Sequence, residues 1–209
     1  MKGWQKDNPF LVLVQKKQHK EGGIRMVKWK RDEFVENEIW FHATSATHVE
    51  KILTGVIADI NKTSALDFGY GLYLTPSFEW AKKYIAGLEY ENPKIIEFHF
   101  KPLDFINQGA SFRFFDTLND EFADFIFENR INYRNYETMC VHNYAMVGGV
   151  MSDGNILKDF YEFKHGKIDK IELYRRICQP REDWQICIHS QDLCDQLHPF
   201  LIHDGKGGM

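Results

Sequence analysis

At 209 residues the chain is long enough for one domain with a sizeable core, and 17 Phe, 9 Tyr and 5 Trp in a 44% apolar composition belong to a folded globular protein. No apolar run reaches the length of a membrane span, and the first residues lack the apolar stretch and cleavage site of a signal peptide. The net charge of −4 hides an asymmetry: residues 1–31 hold nine Lys and Arg against Asp7 and Glu21, a net +7, which leaves −11 on the remainder. A basic arm on an acidic body fits a polyanionic partner and equally fits a solvated edge that keeps the chain soluble.

In chain order, the apolar run Phe10–Val14 and the turn at Gly22-Gly23 predict a hairpin over residues 9–31. An apolar strand through Ile39-Trp40-Phe41-His42 follows. Ser45 then caps a helix from Ala46 to Leu53 that stops at Gly55. Asp67-Phe68-Gly69-Tyr70-Gly71 reads as a glycine-hinged turn entering a short strand, Leu72-Tyr73-Leu74. A helix begins near Pro76-Ser77, capped by Ser77 or Thr75, and carries Tyr84 eleven residues after Tyr73. Lys94–Phe100 alternates as a strand, and Asn119–Asn129 has Phe122, Phe125, Ile126 and Asn129 at helical spacing. Asn143–Met151 reads as a strand interrupted by Gly148-Gly149, and Ile168–Ile177 as a short helix ended by Pro180. The last elements are a strand over Asp183–His189, with Gln185, Cys187 and His189 on one face, and a helix over Gln191–Leu197. Short strands with intervening helices, but no regular βαβ alternation, predict an α+β fold.

Some local motifs carry no weight. Asp67-Phe68-Gly69 lacks the catalytic-loop partner of a kinase, and Gly69-x-Gly71 lacks the third glycine of a dinucleotide fingerprint. Nine histidines are scattered without zinc-site spacing, so no metal is expected. Cys140, Cys178, Cys187 and Cys194 show neither Cys-x-x-Cys spacing nor a disulfide framework, and read as reduced thiols of a cytoplasmic protein. Secretion without a cleavable signal stays open.

The order of His42 on a strand, Phe-Gly-x-Gly-Leu-Tyr ending at Tyr73, Tyr84 on a helix and a polar residue on a late strand resembles the ADP-ribosyltransferase superfamily. The branch is the one with a His, Tyr and Glu motif, which includes diphtheria toxin and the poly(ADP-ribose) polymerases. More narrowly, the segments Glu121–Arg130 and Gln185–His189 are similar to blocks of an uncharacterised bacterial family related to these transferases. The resemblance spans roughly residues 38–200. It implies a split, mostly antiparallel two-sheet core over residues 38–202, after a basic extension (1–37) and before a polar tail (203–209).

For function, the resemblance implies NAD as substrate, held in the cleft between the sheets, and transfer of one ADP-ribose to a protein or nucleic-acid acceptor. His42 would hydrogen-bond the adenosine ribose, and the backbone of Ala43 the carboxamide. Thr44 and Gly71 would line the site, and Tyr73 and Tyr84 would sandwich the nicotinamide. Gln185, His42 and Tyr73 are the catalytic candidates, and Arg130 would pair with a phosphate. Toxin-like relatives of this kind act with a neutralising antitoxin-like protein. Two positions depart from the pattern: Ala43 replaces a common glycine, and Gln185 stands where the best-studied relatives have glutamate. Glutamine keeps the hydrogen bonding but not the charge or basicity. NAD glycohydrolysis, RNA 2′-phosphotransfer, and NAD or partner binding without turnover therefore stay open as alternatives.

Overall fold

The computed structural model describes residues 29–56, 58, 66–88, 90–132, 142–152, 156–179 and 183–205. The expected hairpin up to residue 28, the basic side chains it carries, Cys140, Asp153, Pro180, Glu182 and the last four residues lie outside the described residues. The chain is α+β, with two sheets that are antiparallel in every pairing but one.

Sheet A has the order β1-β3-β7, formed by β1 (Ile39–Ser45), β3 (Pro93–His99) and β7 (Pro199–Asp204). Sheet B has the order β2-β6-β5-β4, formed by β2 (Leu72–Leu74), β6 (Trp184–Ile188), β5 (Met146–Val150) and β4 (Phe112–Phe115). The exception is the parallel pair β4–β5, whose crossover contains a helix, as a parallel connection requires. The helices are α1 (Arg31–Val35), α2 (Ala46–Thr54), α3 (Phe78–Ala86), α4 (Pro102–Asn107), α5 (Asp120–Asn132), α6 (Ile156–Lys164), α7 (Lys170–Ile177) and α8 (Gln191–Cys194).

Ser45 stands at the start of α2 as expected, but its hydroxyl meets Thr47 Oγ1 instead of capping an amide, so side-chain caps start only α3 and α7 among helices that begin on a serine or aspartate. Ser77 accepts from the Trp80 amide at 3.1 Å to start α3, and Asp169 does the same for α7 from Glu172 at 2.8 Å. Gly55 ends α2. Several expectations need correcting. The Gly148-Gly149 pair does not interrupt its strand: β5 runs through both. A β-carbon on Gly148 would lie 2.6 Å from the Phe34 ring, and one on Gly149 would lie 2.4 Å from the Phe115 carbonyl oxygen. The glycines are therefore packing residues. The helix expected over Gln191–Leu197 closes at Cys194, and the chain turns through Gln196 and Leu197 to reach β7. Strand β7 runs to Asp204, its backbone paired with β3 as far as Lys94. Helix α1 plants Phe34, fully buried, against Trp40 of sheet A and Trp184 of sheet B.

The core is continuous between the sheets. One face of sheet B (Leu72, Leu74, Ile186, Ile188, Met146) is buried in the same cluster as Trp40, Ile96 and Phe98 of sheet A. On the other side of sheet A, α3 seats Ala81 and Ile85 on Phe41 and Ile95. Among the described residues no helix is long and apolar enough to cross a membrane, and no group of three or more His, Cys, Asp or Glu is placed to hold a metal ion. Cys178, Cys187 and Cys194 are unbridged.

Candidate functional site

The two sheets meet at one seam. A lone antiparallel bridge joins Phe41 of β1 to Thr75 just after β2, with both backbone bonds made, at 2.8 and 2.9 Å. Beyond it β1 and β2 part, each into its own sheet. Antiparallel register sets Ala43 across from Tyr73 and on the same side as Phe41, the side covered by α3. Within sheet B, Tyr73 pairs directly with Cys187, and Gln185 lies two residues further along β6. Strand alternation therefore puts Tyr73, Cys187 and Gln185 on one face. Ala43 packs with the cluster under α3 and Tyr73 with the main core, and the Phe41–Thr75 bridge is where the strands that carry them meet.

His42 points to the opposite side of β1 from Ala43, together with the buried Thr44. Its Nδ1 lies 2.8 Å from the Tyr73 carbonyl oxygen. A carbonyl only accepts, so Nδ1 carries the proton and Nε2 of the neutral ring is an acceptor. Burial lowers the His42 pKa, against the opposing pull of the Tyr73 carbonyl, so the ring is neutral near pH 7. Nε2 makes no hydrogen bond among the described residues, which leaves its lone pair for a hydroxyl donor.

Gln185 is only 8% exposed, yet its carboxamide makes no hydrogen bond among the described residues. Its amide atoms are not among the buried polar atoms left without a partner, so they stay in reach of solvent and of a polar ligand group. The Tyr73 hydroxyl is committed: it accepts from the Phe68 amide at 2.9 Å and donates to the Gly69 carbonyl at 2.7 Å. Burial holds its pKa well above the usual tyrosine value, so Tyr73 offers its ring rather than a proton. Phe68 lies near parallel to that ring, at 19° and 6.4 Å between centroids. Tyr84 sits on the flank of α3, 52% exposed, and the two tyrosines form no direct ring pair. Burial, with Tyr90 nearby, raises the Tyr84 pKa. Gly71 is needed for close approach: a β-carbon there would lie 2.3 Å from the Cys187 Sγ and 2.7 Å from the Ile188 carbonyl oxygen.

Arg130 is not on the surface. Its side chain is 8% exposed, and its Nε donates to Asp67 Oδ1 at 2.8 Å. Ser152 donates to the other carboxylate oxygen at 2.5 Å. The guanidinium expected to meet a phosphate thus has an internal carboxylate as partner, and it ties α5 to the turn before β2. Sequence reasoning also passed over His142, which reaches the Phe68 carbonyl at 3.0 Å. No pattern in the chain signals it, because its partner is a backbone atom 74 residues away. Two shallow grooves of about 470 and 440 Å³ flank α5, and neither is lined by His42, Tyr73, Tyr84 or Gln185.

Neither the curated proteins nor the solved structures gave a match. A family model described as protein of unknown function (DUF3990) matches residues 39–199, from the first residue of β1 to the first of β7. That span holds His42, Tyr73, Tyr84, Arg130 and Gln185, and the chain belongs to the DUF3990 family.

Proposed function

We propose that the seam between the sheets binds NAD and that the protein transfers a single ADP-ribose to a macromolecular acceptor, on an ADP-ribosyltransferase-like fold. The observation that carries this reading is the Gln185 side chain on the Tyr73 face, 8% exposed as a residue and with no hydrogen bond among the described residues, beside the bridge that joins the two sheets. Cleaving the bond between nicotinamide and ribose develops positive charge on the sugar, as in glycoside hydrolysis. The nicotinamide ring would lie against Tyr73, with Tyr84 of α3 closing over it and the Ala43 backbone meeting its carboxamide. Gln185 would bond the ribose hydroxyls from the face beneath, where charge develops. His42 Nε2, a neutral acceptor, suits a ribose hydroxyl of the adenosine half. Arg130, paired with Asp67, would brace the turn that leads into β2.

Gln185 also supports a second reading, NAD binding without turnover, because an amide cannot serve as the base that activates an acceptor. Incubation with NAD labelled in the adenosine half, in a cell lysate, separates the two. Label that becomes macromolecular and is then released by protease or by nuclease supports transfer and names the acceptor class. Label recovered as free ADP-ribose means hydrolysis, and unchanged NAD that remains bound means a binding module. NAD that neither binds nor is consumed refutes the proposal.

A further inference from the structure

The turn from Asp67 to Gly71 has an unusual arrangement of hydrogen bonds. Asp67, Phe68 and Gly69 are buried and Tyr70 is half-buried, so water has little access to their carbonyls. Four consecutive carbonyl oxygens instead accept from four side chains on separate segments. Asn129 Nδ2 of α5 reaches Asp67 at 3.3 Å, and His142 Nε2 reaches Phe68 at 3.0 Å. The Tyr73 hydroxyl of β2 reaches Gly69 at 2.7 Å, and His189 Nδ1, just past β6, reaches Tyr70 at 2.5 Å. The Asp67 carboxylate is held in addition by Arg130 and Ser152.

Resting on the reading of Tyr73 as a wall of the nicotinamide site, we propose that this turn is a preformed platform for the Tyr73 ring, and that Asn129, His142 and His189 are the positioning residues that lock it. The link to the ring is direct. The Phe68 amide donates to the Tyr73 hydroxyl while that hydroxyl donates to Gly69, so the turn fixes the far end of the side chain. Both imidazoles are set as single-tautomer donors. His142 Nδ1 accepts from the Tyr144 amide at 3.3 Å, which leaves the proton on Nε2, and its ring stacks on Phe125 at 4.9 Å. His189 stands edge-on to His142, at 4.7 Å and 79°. Burial lowers the pKa of both, so neither carries a second proton near neutral pH. A ring held before the ligand arrives loses no freedom on binding, which is where the platform gains affinity.

The test compares His142→Phe, which keeps a ring against Phe125 but has no donor, with His142→Gln, whose amide replaces the Nε2 donor. Amide hydrogen exchange at Phe68 reports on the Tyr73 hydroxyl, and titration calorimetry with NAD reports on the site. His142→Phe is expected to speed Phe68 exchange and to weaken NAD binding, each about tenfold, the equivalent of one lost hydrogen bond. His142→Gln is expected to restore both. Unchanged exchange in His142→Phe overturns the lock. Faster exchange with unchanged NAD affinity overturns the positioning role and leaves only a structural one. If the Phe variant does not fold, Tyr73→Phe removes the hydroxyl link alone, and undiminished NAD affinity there overturns the proposal. Wild-type protein that binds no NAD refutes the functional reading, and Phe68 exchange still decides whether the platform is locked.

Discussion

Replacing His189 by Asn removes a titrating group while keeping a donor in the position of Nδ1, and this should flatten the acid side of the stability profile. The native ring is buried beside His142, with its Nδ1 on the Tyr70 carbonyl, and its pKa is lowered to about 3, chiefly by desolvation. An unfolded histidine titrates near pH 6.5. Above that value both states are neutral, and the ring contributes nothing to pH dependence. As the pH falls below it, the unfolded chain takes up a proton that the native ring refuses until about pH 3, so stability falls with pH. Each unit of pH in this window costs the native state about 1.4 kcal/mol, which gives about 2 kcal/mol between pH 7 and pH 5 from this one residue. Urea unfolding at those two pH values, in wild type and His189→Asn, isolates the term, because carboxylates elsewhere contribute equally to both proteins. The variant should start somewhat less stable at pH 7, from its smaller side chain, and lose about 2 kcal/mol less on acidification. Equal losses in the two proteins would refute the reasoning, since His189 would then titrate as an open, solvated ring.

Gln185→Ala should lower NAD turnover by about 10²–10³ with the melting temperature little changed, whereas Gln185→Glu should match or exceed wild type; an alanine variant with full turnover would move the catalytic role elsewhere. Arg130→Met leaves the buried Asp67 carboxylate with Ser152 as its remaining partner and should cost about 3–5 kcal/mol in chemical denaturation, while a cost below about 1 kcal/mol would mean the pair is solvated in solution. Gly71→Ala drives a methyl group into Cys187 and the Ile188 carbonyl, and a thermal melt should show a loss of about 1–3 kcal/mol; an unshifted melt would show that β2 and β6 can part at no cost.

Much of the site can be read along the chain because its signals are local. The turn glycines, the Ser77 cap, and the alternation that sets Gln185 and Cys187 on one face all act within a few residues. The structure follows them at β2, α3 and β6. What could not be read depends on partners distant in sequence. Asp67 meets Arg130 across 63 positions, and nothing near Arg130 distinguishes an internal partner from an external one. Gly148 and Gly149 read as a break, because the aromatic rings and backbone that need their missing β-carbons come from α1 and β4. Strand β7 escaped notice because Phe200, Leu201 and Ile202 are exposed on an edge and show no two-residue alternation. The commitment of the Tyr73 hydroxyl was likewise invisible, since the sequence shows a tyrosine but not what its oxygen bonds.

The central claim is that NAD is held at the seam by Tyr73, Tyr84, Gln185 and His42. A crystal structure of the protein grown with saturating NAD tests it most directly. The account predicts the nicotinamide ring between Tyr73 and Tyr84, its ribose within hydrogen-bond distance of the Gln185 carboxamide, and an adenosine hydroxyl on His42 Nε2. NAD bound along α5 instead, or a seam still empty at saturation, would contradict it.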